Sequence, residues 1–205
     1  RRALKEIQRY RDRGVNRALV VAATGSGKTY LAAFDALNRD STRLLFIVHK
    51  DIILKAARKT FQTVFKESRT YGIYTAESKQ LDADFLFASN QIRSENLDLF
   101  SKDEFDYIII DEVHHASAST YQKIIQYFHP EFLLGLTATP ERRDGQDVYS
   151  LFGNNVPYDL RLRDALVNDL IVPFHYYGIK DSLIDYSDNK SPEGIRRIIQ
   201  GVSSF

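Results

Sequence analysis

The stretch Ala22-Ala23-Thr24-Gly25-Ser26-Gly27-Lys28-Thr29, AATGSGKT, separates the apolar run ALVV (18–21) from the segment YLAAFDAL (30–37). The run reads as a buried strand. The following segment spaces Leu31, Phe34 and Leu37 as a helix does, with those residues on one face. A strand that enters Gly-x-Gly-Lys-Thr and leaves as a helix is the phosphate-binding loop arrangement. Glycines let the backbone curl until several N–H groups point at one anion. A helix starting at Lys28 adds its positive end to the same spot. In that arrangement Lys28 reaches the β- and γ-phosphates of a nucleotide, and the Thr29 hydroxyl ligates Mg²⁺. The corner therefore predicts an α/β nucleotide-binding domain.

Outward from the corner, strand and helix patterns alternate. Residues 3–13 read as an amphipathic helix with Leu4, Ile7 and Tyr10 on one face. RLLFIVH (43–49) is a buried strand, followed by a helix through DIILKAARKTFQTVF (51–65) with Asp51 as its N-cap. TYGIYT (70–75) and DFLFAS (84–89) read as strands, and a helix is expected from about Asn90 to Phe100. DYIIID (106–111) and EFLLGLTA (131–138) are two further strands. Near-continuous apolar strands alternating with helices predict a mostly parallel sheet covered on both faces, a three-layer architecture. From about Gly145 the pattern changes. Residues 1–180 are expected to form one domain and 181–205 to begin a connection to another.

Composition narrows the class. Hydrophobic residues at 43% and charged residues at 27% describe a folded globular chain, neither disordered nor fibrous. No apolar run approaches the roughly 20 residues of a membrane span, and the opening RRALKEIQRYRDRG is no signal peptide. Zero cysteines exclude disulfides and thiolate metal sites and suit a cytoplasmic protein. Zero methionines make the chain an expected piece of a longer one. With 28 basic and 27 acidic residues the net charge is +1, so a nucleic-acid partner gains no support from bulk electrostatics.

Two further motifs follow in order. IIIDEVHH (108–115) places Asp111 and Glu112 at the C-terminal end of an apolar strand, the edge where open parallel sheets bind ligands. Asp111 there suits Mg²⁺, bound through water, and Glu112 suits a general base acting on an attacking water. GLTATPERRDG (135–145) then carries Thr137, Ala138 and Thr139, small hydroxyl residues at a strand end that can exchange hydrogen bonds cheaply.

In this order and spacing the three motifs resemble superfamily 2 helicases and translocases. The loop has Ala22 where the general pattern has glycine, and the form A-x-x-G-x-G-K-T is the one that superfamily uses. DEVHH matches its D-E-x-H box, with His114 as the box histidine and His115 a bland loop residue. Thr137 and Thr139 match the T-A-T motif that couples nucleotide state to the nucleic-acid path. LTATP, and the segment FGNNVPYDLRLRDALVNDLIVPFHYYGI (152–179), look like the type III restriction subunit (Res-like) branch, whose members act on DNA.

The resemblance implies a first RecA-like domain that binds ATP and Mg²⁺, with Ala22, Thr24, Gly25, Ser26, Gly27, Lys28 and Thr29 forming the nucleotide loop. It also implies nucleic acid, duplex DNA in particular, as partner. A second RecA-like domain, supplying an arginine finger, would then be needed for hydrolysis. His49, Lys50 and Lys55, and Ser89, Asn90 and Gln91, fall where family motifs meet nucleic acid. Arg142 and Arg143 sit in a polar turn that faces either nucleic acid, the second domain or solvent. The glutamine that reads adenine in the family is expected upstream of Arg1, since Gln8 lies inside the first helix. Tyr107 and Tyr121 fall at core spacing rather than on a base-stacking platform. A second reading stays open: a non-motor nucleotide-gated module that changes a protein–protein contact, which nucleic acid would not stimulate.

Overall fold

Five-residue apolar runs bounded by polar turns form strands buried on both faces, and a computed structural model shows these runs assembled side by side. The structure describes residues 1–48, 51–75, 77–89, 97–113, 118–140 and 148–167. The elements in chain order are α1 (Arg2–Asp12), β1 (Arg17–Ala22), α2 (Lys28–Asn38), β2 (Leu44–Val48), α3 (Asp51–Phe65), β3 (Tyr71–Tyr74) and β4 (Phe85–Ser89). After a 3₁₀ turn at Leu97–Leu99 come β5 (Tyr107–Ile110), α4 (Ala118–Tyr127), β6 (Phe132–Thr137), α5 (Val148–Leu151), β7 (Tyr158–Leu160) and α6 (Leu162–Val167).

The seven strands lie in the order β3-β4-β2-β5-β6-β1-β7, and each of these strands pairs with its neighbours in parallel. Although β2 follows β1 in the chain, β5 and β6 lie between them. The strands of all three motifs are therefore neighbours, β5-β6-β1. Register sets their ends level, with Val21 beside Thr137 and Ile110 beside Gly135.

Alternate residues of each strand feed two apolar layers. On one face Val20, Phe46, Phe87, Ile109 and Leu134 pack with Ala32, Ala33 and Ala36 of α2 and with Leu54, Ala57 and Phe61 of α3. On the other, Val21, Ile47, Ile110 and Leu133 pack with Tyr121 and Ile124 of α4 and with Phe152. The architecture is the expected three-layer α/β one. At Gly135, in mid β6, a Cβ would stand 2.4 Å from the Phe152 ring, so the glycine there seats that ring.

Two expectations need correcting. The face of α2 given by Leu31, Phe34 and Leu37 is not its buried one: Phe34 and Leu37 are each 43% exposed, while Ala32, Ala33 and Ala36 are buried. Small side chains let this helix lie close to the sheet, which the spacing of large residues cannot reveal. Buried Asp35 is also accommodated, because Arg11 grips it with two nitrogens at 2.7 and 2.9 Å and the Tyr107 hydroxyl donates to it at 2.6 Å. The helix expected over residues 90–100 is, in its described part, only the 3₁₀ turn at Leu97–Leu99 and a bend at Phe100. Residues 90–96 and the expected boundary near residue 180 lie outside the described residues. Tyr107 and Tyr121 are fully buried, as their spacing predicts. No helix among the described residues is long and apolar enough to cross a membrane.

Candidate active site

At the end of β1 the chain turns through Thr24, Gly25 and Ser26, with the Ser26 N–H donating to Ala23 O at 3.2 Å. The Ala23 N–H in turn donates to Leu160 O of β7 at 3.0 Å, which anchors the base of the loop. Gly25 and Gly27 have φ of +80° and +86°, the left-handed region where a side chain is strained. A Cβ on either would meet nothing within 4 Å. Backbone conformation rather than crowding requires glycine here, and the space around the loop is open. Gly27 is the N-cap of α2 and no side chain caps the helix, so its first N–H groups are left for another acceptor. The Ser26 hydroxyl is buried without a partner.

Lys28 is only 8% exposed, and its Nζ donates to Ala22 O at 3.1 Å and Ala23 O at 3.5 Å. The same Nζ lies 3.7 Å from Glu112 Oε1. Glu112 gets there because β5 ends abruptly: the Asp111 N–H donates to Ile47 O at 2.8 Å, and Glu112 adopts φ +49°. That strained turn swings the chain across, and the Val113 N–H donates to Leu136 O at 3.2 Å, beside Thr137. Asp111 is buried and its Oδ1 accepts the Glu112 N–H at 3.0 Å. Burial, and then the neighbouring Glu112 charge, push its carboxyl up to about 6, against the pull of Lys28 and that hydrogen bond. Thr137 is fully buried, with its Oγ1 accepting the Thr139 N–H at 3.2 Å, whereas Thr139 is exposed.

The structure thus brings Lys28, Asp111, Glu112 and Thr137 to one edge of three adjacent strands. Thr24 is exposed and Thr29 half-buried beside them. His114, His115, His49, Lys50, Asn90, Gln91, Arg142 and Arg143 lie outside the described residues. Lys55 is exposed on α3. Ser89 is 1% exposed at the end of β4, and its hydroxyl is buried without a partner. A strand-terminal serine looks the same in sequence whether it faces solvent or the interior. Gln8 is exposed on α1 and shares hydrogen bonds with Asp12 and Arg11. The carbonyls that hold Lys28 were invisible to motif reading, which sees side chains only.

This donor set fits a polyphosphate with a divalent cation. Free helix N–H groups, an orphaned serine hydroxyl and a cation held only by carbonyls and one carboxylate are groups a phosphate would satisfy together. Among the described residues no cluster of three or more His, Asp or Glu side chains could hold a metal. A single carboxylate with a threonine suits Mg²⁺, which keeps its waters and takes its other ligands from phosphates.

The model of the family described as type III restriction enzyme, res subunit, matches residues 1–142. The chain is 28% identical over 177 residues to the type I restriction enzyme EcoAI endonuclease subunit of Escherichia coli, covering 78% of this chain and 21% of that protein. It is 26% identical over 182 residues to the DNA 3'-5' translocase XPB2 of Sulfurisphaera tokodaii, covering 88% of this chain and 40% of that one. The solved fragment of a putative HsdR subunit of a type I restriction enzyme from Vibrio vulnificus superposes with a TM-score of 0.60 at 28% identity, over 80% of this chain and 30% of the other. The chain therefore spans about a fifth to two fifths of these relatives. With the loop, the acid pair and the T-A-T strand assembled at one sheet edge, the chain belongs to the type III restriction enzyme res subunit family, as the N-terminal RecA-like domain of a superfamily 2 helicase.

Proposed function

We propose that this chain is the ATP-binding half of a motor that moves along nucleic acid, duplex DNA in particular, and that it hydrolyses ATP only when a second RecA-like domain closes over it. The observation that carries this reading is the 3.7 Å approach of Lys28 Nζ to Glu112 Oε1, from the ends of two different strands, at an open edge of the sheet. A phosphate-seeking cation and a water-activating carboxylate are poised together, which is the minimum for phosphoanhydride hydrolysis.

The loop from Ala22 through Thr24, Gly25, Ser26 and Gly27 presents its N–H groups to the phosphates, and Lys28 exchanges its carbonyl partners for the β- and γ-phosphate oxygens. Thr29 and Asp111 hold Mg²⁺, which when bound neutralises charge on the phosphate oxygens. Asp111 must be ionised for this, and a cation beside it lowers its pKa again. Glu112 orients a water and accepts its proton. His114, Thr137 and Thr139 relay the change, since the Val113-to-Leu136 hydrogen bond already ties the acid pair to the T-A-T strand. His49, Lys50, Asn90 and Gln91 meet the nucleic-acid backbone. An arginine finger from the second domain would raise the rate by about 10³–10⁵, so the chain alone turns over little. The restriction-type family and the DNA translocase relative favour DNA as the track, and the location that goes with this reading is cytoplasmic.

Steady-state ATP hydrolysis by the chain extended through a following domain tests the reading, measured alone and with duplex DNA, single-stranded DNA or RNA. Stimulation by duplex DNA is expected. ATP hydrolysis indifferent to every nucleic acid would favour the nucleotide-gated protein switch, for which the net charge of +1 is the one supporting observation.

A further inference from the structure

At the edge of the sheet opposite the nucleotide loop, a cavity of about 390 Å³ opens between the starts of β1, β5 and β6 and the end of α4. That volume lies in the range of small-molecule sites. Arg17, Leu133 and Ile108 line it as one cross-strand row, Arg17 beside Leu133 and Leu133 beside Ile108. Residues paired in this way face the same side of a sheet. Ile124 of α4 packs in the same apolar layer and lines the cavity with them, and all three apolar residues are buried. A cation thus stands at one end of an apolar row two strand spacings long, about 10 Å.

The cation has nothing to hold. Arg11, Arg39, Arg43, Arg69 and Arg161 are half-buried, as Arg17 is, and each grips a carboxylate. Among the described residues the Arg17 guanidinium has no partner, and Arg58 of α3 is the other half-buried arginine without a carboxylate. The side-chain amides of Asn16 and Gln126, also lining the cavity, are unpartnered too. No acidic side chain lines it, and His129 at its rim is already paired with Asp103 at 3.2 Å. Packing of its stem over the apolar layer accounts for the length of Arg17, not for its unpaired head.

We propose that this cavity is a second binding site, for a small organic carboxylate with an apolar body. The carboxylate accepts hydrogen bonds from the Arg17 guanidinium, a geometry that arginine serves with two parallel bonds, and the amides of Asn16 and Gln126 stand at the rim as further donors. The body lies along Leu133 and Ile108 under Ile124. From Arg17 to Ala22 the strand runs about 17 Å at about 3.3 Å per residue, so this ligand and a nucleotide do not compete for space.

The test is a titration of the 205-residue chain with 4-phenylbutyrate, followed by the NMR shifts of its backbone amides. Saturable shifts centred on residues 16–17 and 124–129 are expected, with acetate and the neutral 4-phenylbutanamide each at least about tenfold weaker. Arg17→Met keeps the stem and should weaken binding about ten- to hundredfold, the worth of charge-assisted hydrogen bonds. Gln126→Glu, an exposed change that any fold tolerates, should weaken it as well, by repelling the carboxylate or by occupying Arg17. Lys28→Ala should leave it unchanged, which separates this cavity from the phosphate loop. No saturation, equal binding of the amide, shifts confined to the phosphate loop, or an affinity indifferent to both Arg17→Met and Gln126→Glu would overturn the proposal. Binding of an acidic, leucine-containing peptide with none of the free acid would assign the cavity to a protein partner and overturn it too.

Discussion

Asp111 should make the nucleotide-free chain less stable than it need be, and removing its charge should show by how much. Its carboxyl rises from the ordinary 3.8 to about 6 because it is buried beside Glu112. Holding it ionised in the folded chain therefore costs about 3 kcal/mol. The folded state binds this proton more tightly than the unfolded chain does. The penalty is thus absent below about pH 4, grows as pH rises through about 6 and is complete above it. Asp111→Asn keeps an oxygen to accept the Glu112 N–H, now at 3.0 Å, but buries a new amide NH₂ that needs an acceptor, which offsets part of the gain. The net gain expected near pH 7 is about 1–2 kcal/mol, or about 2–8 °C in melting temperature. Near pH 4 the two proteins should melt alike. Urea or thermal denaturation across that range, without Mg²⁺ or nucleotide, is the assay. A destabilised variant near pH 7, or a difference that does not change with pH, would refute the reasoning.

Glu112→Gln in the complete protein should still bind ATP but lose about 10²–10⁴-fold in hydrolysis, the range for a general base; normal turnover in steady-state kinetics would remove Glu112 from that role. Gly135→Ala should cost about 1–3 kcal/mol in chemical denaturation, because the added methyl meets a fully buried Phe152 ring. Gly27→Ala should cost only about 1 kcal/mol, from φ +86° in open space, while weakening nucleotide binding measured by titration. Asp35→Ala strands the Arg11 guanidinium and the Tyr107 hydroxyl, and should cost about 3–5 kcal/mol in the same denaturation assay.

Much of this molecule was legible in its sequence because the informative residues are local. Each of the runs around Val20, Phe46, Ile109 and Leu134 is apolar almost without interruption, and each is a strand buried on both faces. The glycine corner was legible because φ near +80° needs glycine, and the need is written at the position itself. What sequence could not show depends on distant partners. Nothing in YLAAFDAL reveals that α2 turns its alanines inward and its Phe34 outward, since that depends on how closely the helix lies on the sheet. Asp35 reads as a surface residue until Arg11 and Tyr107 arrive from other elements. The left-handed Glu112 carries no sequence mark, because glutamate there is strained and is held by the hydrogen bonds on either side of it.

The central claim is that the corner at Lys28 takes a nucleotide triphosphate between it and the acid pair. Titrating the 205-residue chain with a fluorescent ATP analogue, with and without Mg²⁺, tests it most directly, with Lys28→Ala alongside. The account predicts saturable, Mg²⁺-strengthened binding that Lys28→Ala abolishes. Binding of equal strength by wild type and Lys28→Ala, or none by either, would contradict it.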